Sequence, residues 1–446
     1  MRLVKFTAEK VYGYLDFDID FNDKMTFLTG ANGSGKSTAL KIVESLITPS
    51  LKDLAFTRFM KATLVFEHAG KTNVLSAVKD ANGLVIATSW LDEVLRLDDV
   101  SEDQLDLLSE DNGMLDDYFK RLSVRLSTNE VFRAISTIPA PVFLGIERRH
   151  SQRALDGEST PFSRDGIRQG LRQGMRARRV LRGDLAAGLA ETQALVQEAY
   201  RASRRQVDAT QESLRNDVLL SAFHYVDPAK DEDGTPRFDL SFGSVDFEST
   251  RLDIEQALRG IGIPERKIEH NIRPFFEKIS GLRPEAWEKS SDKFLELLMN
   301  KGQIDRLLHL ISLVQDHKKR ADASLKKISA FVGTINWFFR DCGKTVKVDA
   351  VGQIEISRGG VDRIPLDALS SGERQLLILI SHLYFNAYGL RSKVFVIDEP
   401  ELSLHMRWQE NIVDKMLESN PGIQLIVATH SPDIVGEYRD MCVGVG

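Results

Sequence analysis

Cysteine and long apolar runs are both scarce in this chain. Its 446 residues include two cysteines, Cys342 and Cys442, which lie far apart in sequence. Two cysteines so placed make neither a disulfide framework nor a cysteine-ligated metal site, and a reducing compartment suits them. The longest apolar run, near residues 376–385, is broken by Ser381 and His382. It is shorter than the ~20 residues that a membrane span needs. The first residues also lack the apolar core of a signal peptide, so we expect a soluble cytoplasmic protein with no membrane partner.

A strong charge of one sign is also missing. The formal net charge is −6, which gives no general nucleic-acid signature, so any basic footprint must be local. The segment Arg148–Arg182 is such a local exception, with ten arginines. Arginines contact phosphates through their forked donors, and nucleic-acid binding by this segment is one interpretation. The same arginines could keep a loop soluble or pair with the acidic residues 91–120. That acidic segment is interpreted as a solvated helical surface or as a patch for a basic partner.

The stretch Gly30–Thr38 reads GANGSGKST and matches the P-loop pattern G-x-x-x-x-G-K-[ST]. Residues 25–29 predict a buried strand before it and residues 39–47 predict a helix after it, which is the context that the motif requires. Its glycines allow successive N–H groups and the helix N-terminus to face nucleotide phosphates. We expect Lys36 to reach the β- and γ-phosphates of ATP and the Ser37 hydroxyl to ligate Mg²⁺. The predicted nucleotide-binding residues of this loop are Gly30, Asn32, Gly33, Ser34, Gly35, Lys36, Ser37 and Thr38.

Residues 369–375, LSSGERQ, precede an apolar helix and resemble the LSGGQ signature of ABC ATPases. A turn of small residues that opens a helix offers hydroxyl and N–H groups to a phosphate. In that family the second cradle meets the γ-phosphate of ATP held by another subunit, so two heads enclose two ATP molecules. The residues that the resemblance marks as ATP-binding are Ser370, Ser371, Gly372 and Glu373.

Two further strand ends carry polar residues. The sequence KVFVIDEP over residues 393–400 predicts a short apolar strand that ends in two acids, and Thr429-His430-Ser431 follows a second predicted strand. By resemblance to the same family, Asp398 matches the aspartate that holds Mg²⁺. Glu399 matches the carboxylate that orients and polarises the attacking water. His430 matches the switch histidine that contacts the γ-phosphate. We therefore expect the catalytic residues to be Lys36, Glu399 and His430, and the metal ligands to be Ser37 and Asp398.

The four motifs, in this order, resemble ABC-type ATPases over about residues 1–145 and 337–440. The resemblance implies an α/β fold: an ABC-type ATPase head with a P-loop parallel sheet and an antiparallel β layer. The strand-like alternation of residues 60–90 also favours that layer. The branch resembled is the SMC/Rad50-like one, in which a helical insertion separates the two halves of the head. We therefore expect residues 1–145 to form the N-terminal half, 146–336 the insertion and 337–446 the C-terminal half.

The insertion contains two long helical patterns. Apolar or small residues recur in steps of three and four over residues 195–222 and 304–332. This spacing is typical of a coiled coil, but it is sustained over only about three or four heptads in each segment. We interpret the insertion as a helical, short coiled-coil-like arm, and a compact helical bundle is the alternative.

The string DEPELSLH over residues 398–405, followed by Trp408-Gln409, resembles an OLD-related bacterial antiphage-defence subgroup. That subgroup includes the AriA-like ATPases of PARIS and the PtuA-like ATPases of Septu and retron systems. The resemblance implies a homodimer or higher homo-oligomer that encloses ATP and controls a separate toxic effector, such as a nuclease, in trans. OLD nucleases continue into a TOPRIM domain, and we expect none here because sixteen residues follow His430.

A Rad50/RecF-like DNA-repair ATPase that clamps DNA is the alternative function. Those proteins carry either very long coiled coils with a hook or a basic surface, and this insertion lacks a CxxC hook. A transporter ATPase is disfavoured because such heads have much shorter insertions. Two features depart from the resembled pattern: His405 replaces an aspartate of transporter heads, and no Q-loop glutamine is identified. Tyr12 or Tyr14 could stack on adenine or simply pack against the protein.

Overall fold

The computed structural model describes most of the chain in separate stretches. They are residues 1–80, 83–97, 112–145, 184–221, 229–230, 236–237, 248, 251–252, 255–256, 259, 264–280 and 291–446. The arginine-rich segment Arg148–Arg182, proposed from sequence as a nucleic-acid contact, lies outside these residues.

Strands and helices alternate over the described stretches. The strands are β1 (Arg2–Val11), β2 (Leu15–Asp20), β3 (Met25–Thr29), β4 (Lys61–His68), β5 (Lys71–Asp80), β6 (Gly83–Thr88), β7 (Val94–Leu97), β8 (Val142–Leu144), β9 (Ala229–Lys230), β10 (Pro236–Arg237), β11 (Lys344–Val348), β12 (Ile354–Arg358), β13 (Val361–Ile364), β14 (Val394–Asp398), β15 (Gln424–Ala428) and β16 (Cys442–Gly444). The helices are α1 (Lys36–Ile47), α2 (Leu51–Phe56), α3 (Asn112–Leu126), α4 (Glu130–Thr137), α5 (Asp184–Ser221), α6 (Glu265–Ser280), α7 (Ser291–Phe339), α8 (Ser371–Phe385), α9 (Ala387–Ser392), α10 (Met406–Ser419) and α11 (Pro432–Val435).

A parallel sheet carries three of the predicted motifs. Its strand order is β16-β3-β15-β14-β8, and each neighbouring pair is parallel. Strands β3, β14 and β15 are buried along almost their whole length, and they consist of continuous apolar runs, as is typical of parallel sheets. The register places Asp398 beside Ala428, and Ala428 beside Leu28. The chain therefore leaves these three strands at one edge of the sheet.

An antiparallel sheet forms the second layer, in the order β2-β1-β4-β5-β6-β7. Along β6, buried and half-buried residues alternate, because one face of the sheet is covered. Helix α1 packs against β4 and β5 of this sheet and against β14 of the parallel sheet. Its residues Ala39, Ile42 and Ile47 are fully buried. The predicted α/β class is therefore confirmed, with the P-loop sheet and an antiparallel layer that share one helix. The strands predicted between residues 60 and 90 are confirmed too.

Strand β7 corrects the prediction of a helical surface over residues 91–120. Residues Val94–Leu97 pair with β6 as the last strand of the antiparallel sheet. Leu95 and Leu97 are buried, whereas Val94 and Arg96 are exposed. Because acidic residues surround these leucines, the alternation of buried and exposed residues was not recognised as a strand in the sequence. Helix α3 at the end of the segment agrees with the prediction, and residues 98–111 lie outside the described part.

One buried amide links the two large sheets. Gln424, at the start of β15, donates from Nε2 to the carbonyls of Leu3 at 2.8 Å and Asn22 at 2.9 Å. Its Oε1 accepts from the backbone N–H of Leu3 at 2.7 Å. Because the side chain is 3% exposed, these bonds are shielded from water and help to fix β15 against β1.

A smaller antiparallel sheet, in the order β11-β12-β13, lies next to the signature helix in sequence. Strands β11 and β12 pair as an antiparallel hairpin. The side chain of Asn336 on α7 exchanges two hydrogen bonds with the backbone of Val346, at 2.7 and 3.0 Å. Lys344 of β11 forms an ion pair of 2.7 Å with Glu373 of α8. This sheet is therefore tied to both helices by polar contacts.

The chain divides into two compact units, Met1–Glu198 with Ala330–Gly446, and Ala199–Ser329. The helices predicted from residues 195–222 and 304–332 are confirmed as α5 and α7. Their pairing as a coiled coil and the domain boundaries proposed from sequence stay predictions. Within the second unit, His317 Nε2 lies 3.1 Å from Asp217 Oδ2. In the part of the chain that is described, no helix is both long enough and apolar enough to cross a membrane.

Candidate functional site

Three loops meet at the carboxyl edge of the parallel sheet. The P-loop follows β3, residues 399–404 (hereafter the acidic loop) follow β14, and Thr429–Ser431 follow β15. The backbone N–H of Glu399 donates to the carbonyl of Ala428 at 2.8 Å, and that of Thr429 donates to the carbonyl of Leu28 at 3.1 Å. These bonds extend the sheet past its last paired residues, so the three loops remain adjacent.

Two P-loop glycines are required by close packing within the protein. A Cβ on Gly30 would lie 2.4 Å from the carbonyl oxygen of Val445. Gly35 has a φ of +90°, and a Cβ there would lie 2.7 Å from the ring of Phe17. Gly33 also has a left-handed φ of +84°, but nothing lies within 4 Å of its added Cβ. The sequence predicted a tight turn, whereas the approach of Val445 and Phe17 depends on the assembled sheets.

The N-terminus of α1 has no side-chain cap. Gly35 occupies the N-cap position and offers no side-chain acceptor to the first-turn N–H groups. Such groups lack partners inside a helix and, with the helix dipole, form an anion site. The hydroxyl of Ser34 is also buried and has no hydrogen-bond partner among the described residues. The P-loop therefore presents uncommitted donors to a phosphate.

Lys36 is held against the P-loop. Its side-chain Nζ donates to the carbonyls of Gly30 at 3.1 Å and Ala31 at 3.2 Å, and the residue is 4% exposed. Burial lowers the pKa of Lys36, while the negative charges of Glu399 and Asp398 act in the opposite direction. The ammonium therefore lies at the same edge as the two acids, bonded to neutral carbonyls that an anion can replace.

Asp398 and Ser37 bring a carboxylate and a hydroxyl together at this edge of the sheet. Burial, assisted by the charges of Glu399 and Glu401, raises the pKa of Asp398, although a hydrogen bond from Ser37 lowers it. The Oδ1 atom of Asp398 is buried and has no partner among the described residues. A buried carboxylate oxygen without a partner is costly. Together with a neighbouring hydroxyl it suits a hard cation such as Mg²⁺, which binds few protein oxygens and keeps water or phosphate ligands.

Glu399 and His430 face each other across the ends of β14 and β15. The Nε2 atom of His430 lies 3.8 Å from Oε1 of Glu399, and each side chain is 29% exposed. Glu399 has a φ of +49°, a left-handed conformation that is uncommon for a residue with a side chain and that clusters at functional sites. A carboxylate open to solvent beside an imidazole can accept a proton from water or position it.

Glu401 and Gln409 were assigned no role from the sequence, but their side chains join the same loops. The backbone N–H of His430 donates to Oε1 of Glu401 at 2.6 Å. The Ser431 hydroxyl donates to Gln409 Oε1 at 2.7 Å, and Gln409 Nε2 donates to the Leu404 carbonyl at 2.9 Å. The repeated acid in the DEPE string was the available signal. The contacts themselves depend on the register of β14 against β15.

The signature turn is closed by its own side chains. The Ser370 hydroxyl accepts from the N–H of Glu373 at 3.3 Å, and the Glu373 carboxylate accepts from the N–H of Ser370 at 2.7 Å, forming a capping box. Burial opposes ionisation of Glu373, but hydrogen bonds from Lys344 and from the Ser370 backbone outweigh it, and its pKa is lowered. Glu373 is thus committed to contacts within the protein, whereas Ser370 and Ser371 are exposed.

Gly372 is needed where the signature turn meets the acidic loop. A Cβ on Gly372 would lie 2.1 Å from the carbonyl oxygen of Ser403, so any other residue would displace one of the two backbones. The side chain of Gln375 donates to the carbonyl of Pro400 at 3.2 Å. The first turn of α8 therefore packs directly on the acidic loop. The sequence indicated a phosphate cradle here and gave no sign of this contact.

The other predicted residues of the P-loop differ in exposure. Asn32 and Ser37 are exposed, and Thr38 is half-buried in the first turn of α1. His405, which departs from the transporter pattern, is the N-cap of α10, where its Nδ1 accepts from the N–H of Arg407 at 3.3 Å. This capping bond is a structural reason for a side-chain acceptor at that position.

Comparisons with known families and relatives give a consistent set of ATPases. The family described as "AAA domain, putative AbiEii toxin, Type IV TA system" matches residues 194–436, and one described as "AAA domain" matches residues 7–86. The chain is 33% identical over 107 residues to the retron Vc95 probable ATPase of Vibrio cholerae serotype O1 biovar El Tor. That match covers 19% of this chain and 20% of the relative.

A second relative is the retron Ec83 probable ATPase of Escherichia coli, 35% identical over 75 residues, or 15% of this chain and 14% of the relative. The matches therefore span a fifth or less of either retron protein. Among solved structures, the Smc head domain of Pyrococcus furiosus, with an extended coiled coil and bound to the C-terminal domain of ScpA, is 12% identical. That comparison covers 99% of this chain and 93% of the Smc chain, with a TM-score of 0.41.

Proposed function

The chain belongs to the family described as AAA domain, putative AbiEii toxin, Type IV TA system, and from this premise we propose that it is the ATPase subunit of an antiphage defence system. It is an ATPase, which converts ATP and water to ADP and phosphate. In the proposal, ATP binding closes a homodimer or higher homo-oligomer that holds or releases a separate toxic effector, such as a nuclease. The observation that carries the ATP chemistry is the meeting of the P-loop, Asp398, Glu399 and His430 at one sheet edge.

The P-loop is proposed to bind the triphosphate. Lys36 exchanges the carbonyls of Gly30 and Ala31 for the β- and γ-phosphates. The exchange replaces two neutral acceptors by negatively charged ones, which adds direct attraction between opposite charges to the hydrogen bonds. The uncapped N–H groups of α1 and the unpartnered Ser34 hydroxyl supply further donors. Because the lysine is already buried, little further ordering is required of it.

Ser37 and Asp398 are the proposed Mg²⁺ ligands. A Mg²⁺ ion held by these two oxygens would neutralise negative charge on the nucleotide phosphates. The buried and unpartnered Oδ1 of Asp398 supports this assignment, since the described protein groups leave that oxygen unsatisfied. The Ser37 hydroxyl, whose interaction with the Asp398 carboxylate acts to lower the pKa of that acid, supplies the second oxygen ligand.

Glu399 is the proposed general base and His430 the proposed γ-phosphate contact. Glu399 orients the attacking water and accepts its proton, which suits a carboxylate that is partly open to solvent. His430, 3.8 Å away, places its imidazole where it can donate to the γ-phosphate. The two groups come from different strands, so the sheet register fixes their separation.

Completion of the site by a second copy is part of the proposal. Ser370 and Ser371 are exposed at the start of α8, and in the proposal they contact ATP held by another subunit. The defence role draws support from the family description and from the retron relatives, both of which are described as probable ATPases. Because those matches span a small part of each relative, the effector and the assembly rest on the proposal.

The variant Glu399→Gln tests the base. It keeps the size and hydrogen-bonding shape of the side chain but removes the proton acceptor. We expect ATP binding to persist, turnover to fall about 100-fold or more, and the protein to accumulate as an ATP-bound oligomer in light-scattering measurements. Glu410→Gln, an exposed acid on α10, is the matched control and should match the unaltered protein. Unchanged turnover in Glu399→Gln would assign the base to another residue.

Purification of tagged Glu399→Gln from the native cells tests the defence role. A co-purifying protein with nuclease or other toxic activity, silent while ATP is retained, would support an effector in trans. DNA recovered without a protein partner would instead favour the Rad50/RecF-like clamp. Lys36→Ala, which should not bind ATP, is the control: a partner that requires the ATP-bound closed state should not co-purify with it.

A further inference from the structure

We propose that Glu401 is a positioning residue that holds His430 opposite Glu399 through the backbone N–H of His430. The inference rests on the proposed function, because it assigns a task to Glu401 relative to the roles given to His430 and Glu399. Glu401 lies three residues after the metal ligand Asp398 and is not itself placed against the phosphates. Its effect on the reaction would therefore be exerted through His430.

The contact is short and joins two otherwise separate loops. Oε1 of Glu401 accepts the His430 backbone N–H at 2.6 Å, within the short range of charge-assisted hydrogen bonds. Glu401 belongs to the acidic loop after β14, and His430 is the second residue after β15. A single carboxylate therefore fixes the point at which the chain turns away from β15. The direction of the His430 side chain depends on that backbone position.

The acidic loop is in turn anchored on its other side. Gln409 of α10 donates to the carbonyls of Leu404 at 2.9 Å and Glu401 at 3.4 Å, and accepts from the Ser431 hydroxyl at 2.7 Å. The residue after His430 is thus tied to the same helix that supports Glu401. The two bonds form a clamp on residues 430–431, of which the Glu401 bond acts directly on His430.

The charge of Glu401 offers a competing explanation. Its negative charge helps burial to raise the pKa of Asp398 and opposes the lowering of the Lys36 pKa by burial, so loss of Glu401 could alter the site without moving His430. Its second oxygen, Oε2, is buried and has no hydrogen-bond partner among the described residues. A test must therefore separate the acceptor from the charge, and an amide at position 401 does so because it accepts without being charged.

Two substitutions and a control make that separation. Glu401→Gln keeps an acceptor for the His430 N–H, Glu401→Leu fills similar space without one, and Glu410→Ala removes an exposed acid from α10. We expect kcat for ATP to fall about 10- to 100-fold in Glu401→Leu with KM changed less than about 3-fold, because misplacing a catalytic group mainly affects the reacting state. Glu401→Gln and Glu410→Ala should stay within about 3-fold of the unaltered protein. An equal loss in Glu401→Gln and Glu401→Leu would assign the effect to charge and overturn the proposal.

Hydrogen exchange gives a readout that does not depend on turnover. In the peptide that covers residues 424–436, the His430 amide should exchange slowly in the unaltered protein and in Glu401→Gln. It should exchange about 10-fold faster or more in Glu401→Leu, because its acceptor is missing. Equal protection in all three proteins would overturn the positioning role. If Glu399→Gln stays fully active while the exchange pattern follows the expectation, the role proposed for Glu399 fails and the Glu401 contact stands.

Folding of the leucine variant is checked by the same exchange experiment. Peptides from β1 and β4, remote from the acidic loop, should keep their protection. If Glu401→Leu does not fold, Glu401→Ser replaces it, because the shorter side chain cannot span the same distance to the N–H. If Glu401→Gln has the amide protection of His430 and the kcat that Glu401→Ser lacks, the positioning role is supported. If Glu401→Gln lacks them too, the role is contradicted.

Discussion

The helices α1 and α8 both begin in turns of small residues, yet their N-termini are completed in opposite ways. At α1, Gly35 provides no side-chain cap, and the neighbouring Ser34 hydroxyl has no partner among the described residues. At α8, Ser370 and Glu373 cap each other's backbone N–H groups, and Lys344 neutralises the buried carboxylate. A side-chain cap contributes about 1 kcal/mol, so α1 forgoes a stabilising interaction that α8 has.

The difference indicates that the P-loop turn at α1 depends on a bound phosphate more than the signature turn at α8 does. The first turn of α1 keeps donors unsatisfied, which is unfavourable until an anion accepts from them. The first turn of α8 is satisfied without a ligand, and Ser371 beside the cap is exposed. We therefore expect changes at the P-loop to act on ATP binding, and changes inside the signature turn to act on stability.

The largest expected effect comes from Lys36→Ala. Truncation of one partner of a buried charged contact costs about 2–5 kcal/mol, so ATP affinity should fall by about 30-fold or more. Titration with a fluorescent ATP analogue measures it. Lys41→Ala is the control, because Lys41 lies on the same helix in an exposed ion pair with Asp53 and should bind ATP normally. Normal affinity in Lys36→Ala would remove the distinction between the two turns.

Glu373→Ala should have the next largest effect, on stability. It leaves Lys344 buried without its partner and removes the cap of α8, and loss of one member of a buried ion pair costs about 3 kcal/mol or more. Urea unfolding should show this loss while ATP affinity of the folded protein changes little. Glu355→Ala breaks the exposed pair with Arg363 and should cost less than about 1 kcal/mol. Equal costs for the two variants would contradict the view that Glu373 is structural.

A pair of glycine variants compares backbone strain with packing inside the P-loop. Gly35→Ala and Gly33→Ala both place a Cβ on a left-handed residue, which costs about 1–2 kcal/mol. Only at Gly35 does the added atom also overlap a neighbour, the ring of Phe17. Gly35→Ala should therefore unfold at lower urea concentration than Gly33→Ala. The opposite order would mean that the sheets do not approach the loop as closely as described.

The smallest expected effect is a change in pH dependence. The pKa of Glu373 is lower in the folded protein than in the unfolded chain, where a glutamate has a value of about 4.3. The folded state therefore binds this proton less readily, and the stabilisation is present above that pH and is lost as the pH falls through the folded-state pKa. Unfolding free energies measured as the pH falls from about 5 to about 3, across the unfolded-state value, should decrease more steeply for the unaltered protein than for Glu373→Gln. Parallel curves would contradict the shift.

Short-range patterns were sufficient to predict much of this fold. The apolar runs before Gly30 and Asp398 are buried strands because their side chains are apolar on both faces, and the alternation over residues 60–90 forms β4, β5 and β6. Strand β7 was missed because acids surround Leu95 and Leu97. The three-residue strand β16 was missed because so short a run carries no period.

Contacts between distant segments explain what the sequence did not give for the site. The need for Gly372 comes from the Ser403 carbonyl 2.1 Å from its would-be Cβ, and Ser403 is thirty-one positions away along the chain. The link from Glu401 to His430 exists because β14 and β15 are neighbours in register. Residue types and spacing indicated a nucleotide site, but the partners of each side chain depend on which strands adjoin.

The position of β3 has a consequence for the order in which the protein can assemble during synthesis. Its neighbours in the sheet are β15 and β16, which lie about 400 residues later in the chain. The ribosome therefore releases the P-loop segment long before either flanking strand exists, and at about 5–20 residues per second the interval is roughly 20–80 seconds. A nascent chain in that interval has the P-loop but not β15, the strand that places His430 at the same edge, so the site described here forms only after β15 has been made.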